Sequence, residues 1–257
     1  MTTTLKSCEA YSFSINGFRW GATMPVYEVL ITDVTTYGEL YCVAGWDLRT
    51  KAMVRPEPPG ANVASEVSRF WDGRYAGPGK YFDVGNVVQF EASAPPANFP
   101  FPHATEDRLF VKALGQGPLL TLNNAELVAA VTVSTGIKAA FGNGLIRSAN
   151  GKAYVSKDFK GPSLGALTVA PNKLSLHENT YNPENPKLRA WLKDGLLRYD
   201  LAVTSDATRT RWRNAGLKAL EADIAACNQV HVRLGLSRPF PQRPDECYAQ
   251  INGLYLL

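Results

Sequence analysis

The densest cationic run in the chain is Arg209-Thr210-Arg211-Trp212-Arg213, three guanidiniums around one indole. Guanidiniums neutralise phosphates and an aromatic face stacks on bases, so this pattern points to a nucleic acid, DNA or RNA, as partner. On a helix, Arg209 and Arg213 share a face one turn apart while Arg211 points elsewhere. Cations at a helix start oppose the macrodipole, which favours an external anion as their partner, with pairing to local carboxylates as the competing role. The run closes a wider basic stretch, Lys187–Arg213, in which seven Lys/Arg, Arg189 and Arg198 among them, face three Asp/Glu. Trp191, Tyr199 and Trp212 are interleaved with these cations. Arg55 and Arg238 each precede a proline, which holds them extended so that the guanidinium projects from a strand end. Arg233 alternates with Val232 and Leu234 and is expected to face outward. The candidate nucleic-acid-binding residues are therefore Arg55, Arg189, Arg198, Arg209, Arg211, Trp212, Arg213, Arg233 and Arg238. For Arg55, Arg233 and Arg238, an ion pair with a loop carboxylate such as Asp47 or Asp245 competes with ligand contact.

Catalytic signatures are incomplete. Gly77-Pro78-Gly79-Lys80 is followed by Tyr81 where a phosphate loop needs Ser or Thr, and Gly142-Asn143-Gly144 lacks the third glycine of a dinucleotide site. No HExxH segment occurs. Cys8, Cys42, Cys227 and Cys247 lie far apart, and His103, His177 and His231 are scattered, so no zinc site is expected. The thiols read as small buried hydrophobes of a reducing compartment. Asp33, Asp47 and Glu57 fall within 25 residues and could meet at a barrel end to hold a metal. No catalytic residue, cofactor or metal ligand is assigned. A binding protein is expected, with a protein-interaction or scaffolding module as the alternative and a metal-dependent nuclease as a third reading.

The elements that must position these residues are β-rich. The 257 residues are 45% apolar and 19% charged, enough for a sizeable core and too apolar for global disorder. Charge is uneven: residues 1–130 hold 10 Lys/Arg against 13 Asp/Glu, and residues 131–257 hold 17 against 10. No apolar run is long enough to cross a membrane, and the first residues lack the apolar core of a signal peptide, so a cytoplasmic location is expected. Strands are expected at Val26–Thr32 and Glu39–Ala44 around a loop, at Ala52–Arg55 with Pro56 ending it, at Val84–Ala92, and from His103 to Leu114. Further strands are expected at Ser163–Val169, Leu188–Leu192, Arg198–Val203, Val230–Leu236 and Tyr248–Leu257. A short helix is expected at Ala64–Trp71 behind an Asn62 cap, and Asn123–Val133 reads as helix or linker. Ala207–Cys227 is the clearest helix, with Leu217, Leu220, Ile224 and Cys227 on one face, Asp206 as its cap and Gly216 weakening its middle. Trp46, Trp71, Tyr248 and Tyr255 read as core aromatics. Gln250 and Asn252 could read base edges, although Asn252-Gly253 is also a turn signal. Cys42-Val43-Ala44-Gly45 with Val54-Arg55-Pro56 is echoed by Val232-Arg233-Leu234-Gly235 with Ser237-Arg238-Pro239, which raises an internal duplication.

Four segments resemble a known family. Tyr41–Pro56 (YCVAGWDLRTKAMVRP) is similar to the strand, Ala-Gly turn and Arg-Pro strand that opens bacterial dual-OB domain proteins. His231–Phe240 (HVRLGLSRPF) with Cys247–Leu257 (CYAQINGLYLL) resembles their closing element, and Pro162-Ser163-Leu164-Gly165 resembles a step near the start of their second half. The chain departs from the pattern at Met53-Val54, where an aromatic or Ile often stands, which weighs against a stacking role there. The resemblance implies a β-rich fold of two OB-like barrels in tandem: an N-terminal arm over 1–25, a first barrel over 26–130, and a second over 131–257 with a long helix near 207–227. It also implies nucleic-acid binding by an accessory protein of a bacterial defence or mobile-element system, with protein subunits of that system as possible partners.

Overall fold

The computed structural model describes residues 24–257, so the arm and Cys8 lie almost wholly outside the described residues. β1 (Val26–Tyr37) and β2 (Leu40–Asp47) form a hairpin, longer than expected because β-branched Val34, Thr35 and Thr36 carry β1 through the supposed loop to a tight turn at Gly38. β3 (Ala52–Glu57), β4 (Asn86–Ser93) and β5 (Asp107–Ala113) complete a sheet in the order β1-β2-β3-β5-β4, and β4 pairs back onto β1 to close it. The β3–β5 pair is parallel and the others are antiparallel, the arrangement of an OB barrel. Pro56 does not end β3: the strand continues to Glu57, and the Pro56 carbonyl accepts the indole N–H of Trp71 at 2.8 Å. The short β6 (Leu120–Thr121) adds to β4.

α1 (Asn124–Ala130), held by a capping box between Asn123 and Glu126, and α2 (Ile137–Ala140) lead into the second sheet. β7 (Ile146–Arg147) and β8 (Ala153–Ser156) form a small flap against it. The sheet itself runs β10-β11-β12-β14-β13-β9, built from β9 (Leu164–Val169), β10 (Leu174–Asn179), β11 (Lys187–Asp194), β12 (Leu197–Val203), β13 (Val230–Leu236) and β14 (Glu246–Leu256). A single 3-10 turn at Pro171–Lys173 joins β9 to β10. Together these two strands do what β1 does alone, pairing on one side with β13 and on the other with β11. The strand order and the parallel β12–β14 pair therefore repeat the first barrel, with one seam open at the broken strand. The fold is two OB-like barrels, as the resemblance implies.

Two β-bulges set how the barrels meet. In β1 the pairing shifts between Ile31 and Asp33, so Val29, Ile31 and Val34 face the first core while Asp33 turns outward. In β14 it shifts around Asn252, so Cys247, Ala249 and Ile251 face the second core while Tyr255 turns outward. The outward faces pack on each other, and Leu30, Trp46, Val87, Leu127, Val131 and Tyr255 make a third apolar cluster between the barrels. Across this seam Arg233 and Asp33 pair at 3.0 Å with side chains 1% and 2% exposed, and the Tyr255 hydroxyl donates to the Thr32 carbonyl.

The remaining helices correct the sequence reading. Ala64–Trp71 holds only a 3-10 turn at Glu66–Arg69, because the Asn62 side chain accepts from the N–H groups of Ala64 and Ser65 in a local turn, and Val63 and Val67 find no core to cover. His103–Thr105 is likewise a 3-10 turn before β5. α3 (Asp206–Ala226) is capped by Ser205, whose Oγ accepts from the Thr208 N–H, rather than by Asp206. Leu220 and Ile224 are buried as expected, with Leu217 and Cys227 at the margin. Gly216 does not merely weaken α3: at φ 81° and ψ 169° it breaks the helical path into a kink. The echoed motifs fall on β2–β3 of one barrel and β13 and its following loop in the other, so they are not equivalent positions.

Candidate nucleic-acid interface

Alternation along β11 and β12 sorts their residues. Leu188, Ala190, Leu192, Tyr199, Leu201 and Val203 fill the second core, which sends Arg189, Trp191, Arg198, Asp200 and Ala202 to the outer face. One row crosses four strands there, His177–Arg189–Ala202–Gln250, beside a second row, Ser175–Trp191–Asp200. Asp200 accepts from Arg189 Nε at 2.7 Å and lies 3.2 Å from His177 Nε2. The Arg198 guanidinium sits over Trp191, 4.7 Å from the ring centre, and donates to Ser175 at 3.3 Å. Trp191 thus supports Arg198, and its edge is closed by Gly151, where a Cβ would come within 2.8 Å of the ring.

Beside these rows runs a groove of about 460 Å³, framed by the loop before β8 and the loop joining β13 to β14. Three rings line it in succession: Phe240 lies 6.3 Å from Tyr248, and Tyr248 lies 5.6 Å from Tyr154. Phe240 is 51% exposed, an open apolar face. Lys152, Arg189 and Arg243 supply cations along the same wall. Asp200, paired with Arg189, and Glu246 are the counter-charges; Glu246 accepts the Tyr248 hydroxyl hydrogen, which together with burial raises that phenol. Rings in file beside cations are the combination a single strand needs, one surface for bases and one for backbone.

The groove opens into a cleft of about 480 Å³ between the barrels, the two sharing Arg189, Ala202, Ser237, Phe240 and Gln250. Arg55, Lys187, Arg209 and Arg238 also line the cleft, and Tyr37 stacks on Phe70 at its first-barrel wall, 4.9 Å between centres. Behind it lies a buried ion network. Arg55 donates to Asp107 at 2.7 Å and to Ser163 Oγ at 2.9 Å, and Ser163 donates through N and Oγ to Glu106, each at 2.7 Å. Arg69 bridges Glu57, at 2.9 and 3.1 Å, and Asp107. Burial opposes the charge of Arg55, yet Asp107, Cys42, Glu106 and Glu57 together outweigh it and hold the guanidinium firmly protonated. Burial raises Glu57 and Glu106 above the ordinary carboxylate range, Asp107 adding to the effect on Glu57. His103 Nε2 lies 2.9 Å from the Leu236 carbonyl; burial and then Arg55 hold the ring neutral, so this nitrogen donates.

The structure brings four of the sequence-derived arginines to the cleft, Arg55, Arg189, Arg209 and Arg238, with Trp212 beside them. Arg198 stands on the adjoining outer face. Trp212 is 8% exposed and donates its indole N–H to Glu178 at 2.8 Å, so it is a wall of the cleft and a core residue at once. Arg209 is anchored by Thr36, at 2.9 Å to Oγ1, across the barrel seam. Arg211 pairs with Asp223 at 2.9 Å on the exposed side of α3; neither it nor Arg213 lines the cleft or the groove. Arg233 does not face solvent: the outward side of β13 is the barrel seam, and its guanidinium is bonded to Asp33 there. Asp47 and Asp245, proposed as loop partners, instead hold the β2–β3 turn and Lys157.

Among the described residues no group of three or more His, Cys, Asp and Glu could hold a metal ion. Asp33, Asp47 and Glu57 are each engaged separately, so the metal cluster imagined for a nuclease does not assemble. Cys42, Cys227 and Cys247 are free thiols. No described helix is long and apolar enough to cross a membrane. Trp46, Trp71 and Tyr255 are buried as expected, but Tyr248 lines the groove, as does Gln250, while Asn252 is buried at the bulge. Sequence reasoning missed Lys152, Tyr154, Phe240 and Arg243 as lining residues, since loops and a flap bring them together. The alternation Lys187, Arg189, Trp191, Lys193 was a readable signal for the outer face of β11.

A five-stranded closed barrel, a second sheet of the same order and one trough across their strands define a tandem OB-fold protein. The chain matches the family model of the dual OB-containing domain, DuOB, over residues 28–254, and it belongs to that family. No curated protein matches the chain.

Proposed function

We propose that the chain binds a single strand of nucleic acid along the groove of the second barrel. The observation that carries this reading is the file of Phe240, Tyr248 and Tyr154 flanked by Lys152, Arg189 and Arg243, beside the outer strand face and the β13–β14 loop that OB barrels use for oligonucleotides. Bases stack on the rings and phosphates meet the cations. Arg198, fixed over Trp191, extends the positive face. An accessory role in a bacterial defence or mobile-element system, implied by the resemblance, is part of this proposal.

Fluorescence anisotropy with labelled single-stranded DNA, single-stranded RNA and duplex DNA at low and moderate salt tests it. Either single strand is expected to bind more tightly than the duplex. A single strand loses affinity with salt at a logarithmic slope of about −0.7 per phosphate neutralised. Lys152→Ala/Arg243→Ala is therefore expected to flatten the slope by about 1.4. Phe240→Ala removes one stacking surface and is expected to weaken binding by about fivefold to a hundredfold. Failure of every strand to bind at low salt overturns the reading and leaves the barrels as a protein-docking platform.

A further inference from the structure

The cleft differs from the groove that feeds it. The groove is lined by the second barrel alone, whereas buried Asp33, Arg55 and His103 of the first barrel and Leu164 and Leu236 of the second line the cleft. A strand that follows the aromatic file past Phe240 enters the space between the barrels. There Arg55, Lys187, Arg189, Arg209 and Arg238 stand against Asp33 and Glu66. Asp33 is held by Arg233, and Glu57 accepts two bonds from Arg69, leaving Arg238 a single long contact of 3.3 Å to it. Arg238 Nη1 is buried with no hydrogen-bond partner among the described residues, and the guanidinium otherwise rests over the Phe70 ring at 4.9 Å. Arg209 donates to the carbonyl and hydroxyl of Thr36, and burial and then the Arg213 charge lower its pKa, against the opposing pull of Asp206. A half-buried cation without a full partner is costly, and an incoming anion with several acceptor oxygens relieves that cost. A terminal phosphate monoester carries about −1.5 to −2 charges near neutral pH, where an internal diester carries one.

We propose that the inter-barrel cleft receives the phosphorylated end of the strand, a terminal nucleotide bearing a 5′- or 3′-phosphomonoester set against Arg238 and Arg209. This rests on the groove reading and deepens it: the protein would recognise strand ends, and the cleft's 480 Å³ is of the size that takes a nucleotide-sized ligand. His103 also lines the cleft, and its buried Nδ1, an acceptor because Nε2 donates to Leu236, has no hydrogen-bond partner among the described residues.

The test is competition anisotropy on the intact chain with one oligonucleotide sequence in four forms: 5′-phosphorylated, 3′-phosphorylated, hydroxyl at both ends, and covalently circular. One phosphorylated form is expected to bind at least about tenfold tighter than the hydroxyl-ended and circular forms, the factor one charge-assisted hydrogen bond supplies. Which end wins identifies the source of the phosphate. Arg238→Gln is expected to collapse that ratio. Since Arg238 also touches Glu57, Arg209→Gln is measured beside it, with thermal melts to show that each variant is folded; both should reduce the ratio. Equal binding of all four forms overturns the end-recognition proposal while leaving the groove reading in place. No binding of any form overturns both.

Discussion

Burying Arg233 against Asp33 removes both ions from water, and the pair survives because each completes the other. Breaking it leaves a carboxylate stranded at the barrel seam. Arg233→Met is expected to lower unfolding free energy by about 3–5 kcal/mol in urea titrations, while Asp33→Leu/Arg233→Met recovers most of the loss. Two residues away in the same strand, His231 is buried with its Nδ1 at 3.3 Å from the Thr168 hydroxyl; burial and then the Arg233 charge push its pKa down to about 3. The unfolded chain protonates this imidazole below about pH 6.5, and the folded protein does not until about pH 3. The unfolded state therefore binds more protons in that window, and stability falls as pH falls. Glu57 and Glu106, raised by burial, act in the opposite sense, so the contribution is read by difference. The stability of the parent minus that of His231→Gln should decline by about 1.4 kcal/mol per pH unit between about pH 5.5 and 3.5 and stay flat above pH 7. A difference that does not change with pH contradicts this account of His231.

The element most changed by structure is α3. Read from its letters, Gly216 is a weak point that Ala would improve by about 1 kcal/mol. Its observed φ of 81° and ψ of 169° lie in a region that essentially only glycine occupies, with open space where a Cβ would stand. Gly216→Ala is therefore expected to destabilise by about 1–3 kcal/mol, seen as a lower melting temperature; an unchanged or raised one contradicts the kink. The same reversal explains what was legible. Strand positions were readable from alternation and β-branching, and the face of α3 from the spacing of Leu220 and Ile224. The motifs that carried the resemblance were readable as letters, but their work was not. Gly45 is a point of close approach, since its Cβ would come 2.4 Å from the Leu30 carbonyl oxygen, and Gly235 lies against Asn252 in the same way. Arg55 and Ser163, read on separate segments, meet in one buried network. Such contacts join residues 108 apart in sequence, and no local pattern announces a partner at that distance. The groove was illegible for a related reason: Tyr154, Phe240 and Tyr248 come from a flap, a loop and a strand.

At the scale of the whole molecule, the two barrels share an apolar cluster, an ion pair and the Arg55–Ser163–Glu106 chain, so they are expected to unfold as one unit. Far-ultraviolet circular dichroism and tryptophan fluorescence, with Trp46 and Trp71 in one barrel and Trp191 and Trp212 in the other, should give coincident urea transitions; separated transitions contradict a shared seam. A fixed seam matters for function because the cleft is walled by both barrels and the groove by one, and their alignment makes a single trough. The cations Arg211 and Arg213, prominent in the sequence, stand outside that trough, so the claim about where a strand lies is sharply exposed to test. Photocrosslinking of a bound single-stranded oligonucleotide, followed by peptide mass spectrometry, reads its position directly. Adducts on Tyr154, Phe240 and Tyr248 are predicted. Adducts confined to the first barrel or to the Arg209–Arg213 segment of α3 would contradict the account.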